Sequence, residues 1–351
     1  MNPDKKTLVI LIPGFPENEW DSTCVPFPQS FVKNLKQINP LLHIIVIAFQ
    51  YPFSPGTYDW HGVEVHAFSG KNRGKFNRLL LWKTIWNRLE KIMKGENVIG
   101  ILSFWMGECG LIAKYAAGKH RLRSFIWIMG QDAKKNNRYV SLIKPAKESL
   151  IALSDFISEE FFRNYKIKPA HTIAPGLDIS LFPPETRQRD IDLMGAGSLT
   201  PLKRYDQFVK LVGRIAPSRP DIRAVICGDG PERATLEQQI RKYKLNDHIE
   251  LTGELDHTQV LTYMQRSKIF LHPSSYEGFG MVCAEALYAG ARVVSYCKPM
   301  NSGFNHQYNV DTEEEMEKKV KELLEIENLN QERVLTYPME ECCRQVISLY
   351  S

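Results

Sequence analysis

The chain has 351 residues, 43% hydrophobic and 24% charged, and a formal net charge of +5. These values fit a globular chain of two ordinary domains and exclude a disordered, collagen-like or disulfide-stapled protein. No apolar run reaches the roughly 20 residues of a membrane-spanning helix, and the seven cysteines, odd in number and without a CxxC pair, read as free thiols of a reducing, cytoplasmic compartment.

In chain order, the first run is "TLVILIPG", which at about eight apolar residues is too short for a signal peptide and reads as a buried strand. "LLHIIVIAF", "VIGILSF", "SFIWIMG" and "SLIALS" follow, separated by longer amphipathic stretches. After the Pro- and charge-rich "IAPGLDISLFPPETRQRD" the rhythm resumes with "IDLMGAGS", "IRAVICGDGP", "HIELTG", "KIFLHPSS" and "ARVVSYC". Strand-length runs alternating with helix-length segments predict βαβ units and parallel sheets. The expected architecture is α/β: two Rossmann-like doubly wound domains facing across a cleft, at 1–182 and 183–335. A closing helix over 336–351 contributes Val346, Ile347 and Tyr350 as apolar contacts.

Charge is uneven. Up to Phe182, 24 Lys and Arg oppose 15 Asp and Glu, whereas from Pro183 onward 21 oppose 25. A basic front half suits an anionic partner, although a merely solvated basic face would have the same composition. Between Lys75 and Lys94, "KFNRLLLWKTIWNRLEKIMK" places Leu79, Trp82, Trp86, Leu89 and Met93 at helical spacing among Lys83, Arg88, Lys91 and Lys94. Such a helix either faces a core or lies peripherally on an anionic membrane.

Ligands of open α/β sheets bind where strands end, so the turns there carry the chemistry. In "GAGSLTPLK" the small residues Gly197 and Ser198 precede Lys203, which opens a helix; a phosphate would reconcile a cation with that helix end. In "CGDGPE", Gly228 lets the backbone approach a flat ligand, with Pro231 suited to a first helical turn. In "YEGFGMVCAEALYAG" two acids, Glu277 and Glu285, interrupt an apolar segment, and such acids need partners. Gly278 and Gly280 free the amides around Phe279 and Met281 for an anion at the start of a helix over 281–288. In the first half, Gly14 and Phe15 of "IPGFPENEWDS" and Gln131 and Asp132 of "IMGQDAKKNNR" form polar strand-ending loops, read as an acceptor side. No phosphate-binding GxxxxGK[ST], HExxH or GxSxG is present, and the histidines lack metal-ligand spacing.

These residues resemble the retaining glycosyltransferases of the GT-B fold, specifically glycosyltransferase family 4. The resemblance spans about residues 170–300 through Glu277-x7-Glu285, "GSLTPLK", "ICGDGPE", "IELTGEL" and "MQRSKIFLHPSS". It implies that Glu285 holds the donor ribose and Glu277 the donor sugar, with Lys203 and the amides of Phe279 to Met281 on the diphosphate. Gly228 and the turn around Thr252 would border the base. It further implies a nucleotide diphosphate sugar as donor, a glycan, lipid-linked or small-molecule acceptor, no nucleic acid, and neither metal nor cofactor. Two positions depart from the family: Ser198 stands where an arginine is usual, and Met129 where many members have a histidine. Gln131, Asp132 and Arg204 are candidates to compensate. A degenerate nucleotide-sugar-binding subunit and a GT-B sugar-nucleotide epimerase are the alternatives.

Overall fold

The computed structural model describes residues 5–21, 24–184, 189–326, 329 and 332–351. The chain divides into two units, Met1–Gly176 with Met339–Ser351, and Leu177–Pro338. The expected boundary after Phe182 therefore falls earlier. The Leu177 N–H donates to the Tyr337 carbonyl at 2.7 Å and Leu177 bridges to Pro338, tying both ends of the second unit together.

The first unit contains β1 (Lys6–Gly14), β2 (His43–Tyr51), β3 (Gly56–Trp60), β4 (Val63–Ala67), β5 (Asn97–Phe104), β6 (Arg123–Ile128), β7 (Leu150–Ala152) and β8 (His171–Thr172). They form one sheet in the order β3-β4-β2-β1-β5-β6-β7-β8, parallel except for β3 against β4. Its helices are α1 (Pro26–Ile38), α2 (Lys75–Gly95), α3 (Glu108–His120), α4 (Arg138–Ile143) and α5 (Asp155–Tyr165). Strand β1 is apolar on both faces because both are covered. Val9 and Leu11 pack with Ile85, Leu89 and Ile92 of α2 and with α3. Elsewhere in the unit Phe27 and Phe31 of α1 meet Phe104 and Trp127 edge-on, with ring centroids 5.3–6.4 Å apart. Each such pair contributes about 0.5–1.5 kcal/mol beyond its buried area.

The second unit contains β9 (Ile191–Ala196), β10 (Ala224–Cys227), β11 (Ile249–Gly253), β12 (Ser267–His272), β13 (Arg292–Ser295) and β14 (Gln307–Asn309), all parallel. Their order is β11-β10-β9-β12-β13-β14. The chain thus builds outward from β9 in one direction, then returns to its other side with β12. The reversal between β9 and β12 is the switch point at which doubly wound sheets bind ligands. Helices α6 (Tyr205–Ile215), α7 (Arg233–Lys242) and α10 (Glu313–Leu324) share one core cluster with Leu193, Ile226 and Leu271. Helices α8 (His257–Gln265) and α9 (Met281–Tyr288) share another with Met194, Val225 and Phe270. Helix α7 begins after Glu232, so Pro231 lies ahead of the helix rather than in its first turn.

The last helix, α11 (Met339–Ser348), belongs to the first unit and packs on α1. Its buried residues are Met339, Cys342, Cys343 and Val346, with Tyr350 just beyond, whereas Ile347 is only half-buried. The Tyr350 hydroxyl donates to the Ile101 carbonyl at 2.9 Å, and its ring fills the space above Gly100.

Candidate functional site

At the switch point of the second unit, the turns after β9, β10 and β12 converge. Gly197, at φ +140°, donates its N–H to the Cys227 carbonyl at 2.9 Å. Gly228 lies so close that a Cβ on it would strike the Gly197 carbonyl, and its φ of +142° also requires glycine. These two turns are therefore seated backbone on backbone. The Gly228 N–H donates to the Gly253 carbonyl at 2.8 Å, which places the β11 turn carrying Thr252 on the same edge. The Thr252 hydroxyl donates to the Gly253 carbonyl at 2.9 Å. Ser198 is exposed.

A short 3-10 turn, Pro201–Lys203, and Arg204 at φ +53° lead into α6. Across the switch point, Lys203 Nζ donates to Glu277 Oε1 at 2.5 Å, both side chains being largely buried. His272 is the last residue of β12, and its Nε2 lies 3.2 Å from the same oxygen, an ion–dipole contact more than an aligned hydrogen bond. His272 Nδ1 is 3.2 Å from Ser295 Oγ, which itself accepts the Cys297 N–H. Burial pushes the Glu277 carboxyl up, but His272 and the Lys203 charge outweigh it and hold the group at about 2. Burial lowers the His272 imidazole against the opposing pull of Glu277.

Gly280, at φ +80°, caps the N-terminus of α9, a backbone conformation that only glycine adopts without strain. The Phe279 side chain is buried and packs edge-on against Phe304 and Tyr337 at 6.0 and 6.1 Å, so its amide rather than its ring belongs to the site. Gly278 and Met281 complete the turn. Glu285 sits in the second turn of α9, where Oε1 is 2.9 Å from His257 Nε2, at the start of α8. The Glu285 hydrogen bond raises the His257 imidazole, more than burial lowers it. Glu277 and Glu285 are thus both satisfied within the unit, by Lys203 with His272 and by His257. Lys203, read from the sequence as a phosphate ligand, is paired here with the Glu277 carboxylate. Neither histidine was singled out from the sequence; the only available signal was that His272 ends a strand five residues before Glu277.

In the first unit the predicted acceptor residues divide. Gly14 ends β1 at the corresponding sheet edge and Gln131 is exposed. Phe15 is fully buried and packs edge-on against Trp60 at 4.8 Å, so it is core rather than an acceptor contact. Asp132 is also corrected. Its carboxylate accepts the N–H groups of Met106, Met129 and Gly130 at 2.7, 3.0 and 2.8 Å, stapling two loops together. Burial nevertheless keeps its carboxyl above the ordinary value, the three amides opposing. Arg204 is likewise committed, its guanidinium stacking 5.2 Å over Tyr296. A group missed from the sequence is Glu108, which opens α3. It accepts from Trp82 Nε1 at 2.7 Å and from the Gln50 amide, joining α2, β2 and α3 at this edge.

Residues 181–334 match the family described as Glycosyl transferases group 1. Among curated proteins, a 93-residue stretch is 43% identical to the phosphatidylinositol N-acetylglucosaminyltransferase gpi3 subunit of Schizosaccharomyces pombe, covering 26% of this chain and 20% of that one. A 99-residue stretch is 33% identical to 2-deoxystreptamine N-acetyl-D-glucosaminyltransferase of Niallia circulans, covering 28% and 25%. The match thus spans a quarter or less of the length of these relatives. Whole-chain similarity comes from solved structures. An Anabaena protein, HepE, in complex with UDP and glucose has a TM-score of 0.71 at 15% identity, over 97% of this chain and 98% of that one. Sucrose-phosphate synthase from Thermosynechococcus elongatus has 0.72 at 16%, over 99% and 98%. The chain has the GT-B fold, and its second unit is similar to the glycosyl transferases group 1 family over residues 181–334.

Proposed function

We propose that the protein moves a sugar from a nucleotide diphosphate sugar to a glycan, lipid-linked or small-molecule acceptor, with retention of anomeric configuration. The observation that carries this reading is the Lys203–Glu277 pair at the switch point, beside the glycine-capped N-terminus of α9. Breaking the glycosidic bond leaves negative charge on the diphosphate. Lys203, the amides of Phe279 to Met281 and the α9 dipole would stabilise that charge, so the reading calls for no metal. Held ionised, Glu277 accepts from sugar hydroxyls, and its hydrogen bonds strengthen as the ring flattens towards an oxocarbenium ion. Glu285, with one oxygen on His257, offers the other to the ribose diol. The complex of the Anabaena protein with UDP and glucose supports a nucleotide-sugar donor here.

A binding-only subunit is the second reading, favoured by Ser198 in place of a cation and by Arg204 being stacked on Tyr296. Incubation with a panel of nucleotide sugars, with and without a chelator, separates the two. Release of nucleoside diphosphate by wild type supports transfer, and its loss on adding the chelator would sink the metal-free mechanism. Donor binding without any turnover supports the subunit.

A further inference from the structure

We propose that the N-terminal end of α2 and the groove between α2 and α3 form a docking surface for an anionic lipid bilayer. The helix has one face in the core, where Ile85, Leu89 and Ile92 are buried. Leu89, on a stripe that the sequence left as facing either a core or a bilayer, lies in the core. The exposed apolar residues are others: Phe76 is 72%, Leu79 61% and Leu80 49% exposed. They stand at i, i+3 and i+4 on the side of the helix away from that core, with Lys83 one turn further. Phe53, 57% exposed, lies beside this end, with Lys71 5.9 Å above its ring. Next to these residues a groove of about 440 Å3 is lined by Trp82, Lys83, Trp86, Leu111, Ile112 and Tyr115. Lys119 and Lys114 stand over its Trp86 and Tyr115 rings, at 5.6 and 6.0 Å.

Charge selects the occupant. From Ser69 to Leu89 the sequence has Lys71, Arg73, Lys75, Arg78, Lys83 and Arg88 and no acid. Tryptophans, unpaired aliphatics and four to eight cations on one amphipathic helix match the interface of a leaflet rich in anionic lipid. An apolar protein partner would leave those cations facing nothing. In the docked state Phe76, Leu79 and Leu80 enter the acyl boundary, the cations meet headgroups, and the groove takes a lipid chain against Trp82 and Trp86. This surface lies wholly in the first unit, so docking and sugar transfer stand or fall separately.

The test is sedimentation of the intact protein with phosphatidylcholine vesicles, with and without about a third of phosphatidylglycerol, at low and high salt. Wild type should sediment with the anionic vesicles only, and salt should release it. Neutralising Lys71, Arg73 and Lys83 to Gln should weaken binding about fivefold per charge, roughly a hundredfold in all. Phe76→Ser with Leu80→Ser should abolish binding at unchanged thermal stability, since both side chains are exposed. Lipids brominated on the chain should quench tryptophan fluorescence, less so in Trp86→Phe. The proposal is overturned if wild type stays in solution with anionic vesicles at low salt, or if both sets of variants bind as wild type does. It is equally overturned if the protein self-associates without lipid through Phe76 and Leu80 and binds no vesicle, because a second copy is then the occupant.

Discussion

Replacing Glu285 by Gln keeps the shape of the side chain and removes the charge that strengthens its bonds. Charge-assisted hydrogen bonds are worth about 1.5–3 kcal/mol, so affinity for nucleotide sugar should fall by roughly ten- to a hundredfold. Glu277→Gln should lower kcat more than donor affinity, because its sugar contacts tighten in the transition state. Calorimetric titration and initial rates on wild type and both variants check this, and a wild type that binds no nucleoside diphosphate would sink the transfer reading. The pH dependence of stability follows from the two histidines and Glu277. Glu277 and His272 have folded values below their ordinary 4.5 and 6.5, so their contributions are present at higher pH and fade as pH falls through those values. His257 has a folded value above its ordinary 6.5, so its contribution is full in acid and is lost as pH rises through the folded value. Thermal unfolding of wild type and His257→Asn should therefore differ most near about pH 5.5 and converge near about pH 9; a gap that widened with pH would contradict the assignment. The acids were legible in the sequence because a carboxylate in an apolar segment demands a partner. The partners were not, since nothing in a lone histidine announces a carboxylate 28 residues away, as between His257 and Glu285. Asp132 misled for a related reason: main-chain amides satisfy it, and they leave no trace in side-chain identity.

Helix α11 is held to the first unit by a small set of contacts that a single methyl group can disturb. A Cβ at Gly100 would run into the Tyr350 ring, which cannot move without breaking its hydrogen bond to Ile101. Gly100→Ala should cost about 1–3 kcal/mol, read as a lower midpoint in urea unfolding. If its midpoint matches wild type, Tyr350 is not the clamp described. Elements were legible where both sheet faces are covered: β1, β2, β5, β9, β10, β12 and β13 each stand out as an apolar run. The β3–β4 hairpin did not, because β3 is an edge strand with mostly exposed residues and reads as loop chemistry. At three residues, β14 is too short to show a period. Helix α2 was found at its place, and of the stripe legible in the sequence Leu89 is buried, Trp82, Trp86 and Met93 pack against the core, and Leu79 alone is exposed.

At the scale of the molecule, the two units carry separate cores, and only the second carries the Lys203–Glu277 pair. Nucleoside diphosphate at a hundred times its Kd should therefore stabilise one unfolding transition by about 2.7 kcal/mol and leave the other in place. Differential scanning calorimetry with and without ligand decides, and equal shifts in two resolved transitions would show that the first unit also binds the nucleotide. The alternation of strands and helices made the two-unit plan legible; the division at Gly176 was not, because it depends on a main-chain bond between residues far apart in sequence. That bond has a consequence for biosynthesis. The second unit is an unbroken stretch whose ends are already paired, so it can complete itself while the chain is still being made. The first unit cannot: α1, Gly100 and Arg123 wait for α11 and Tyr350, with the Leu349 carbonyl closing on Arg123 at 2.9 Å. The unit whose strands come earlier in the sequence is thus closed only after the other, and until α11 follows, the surface it will cover is open to chaperones.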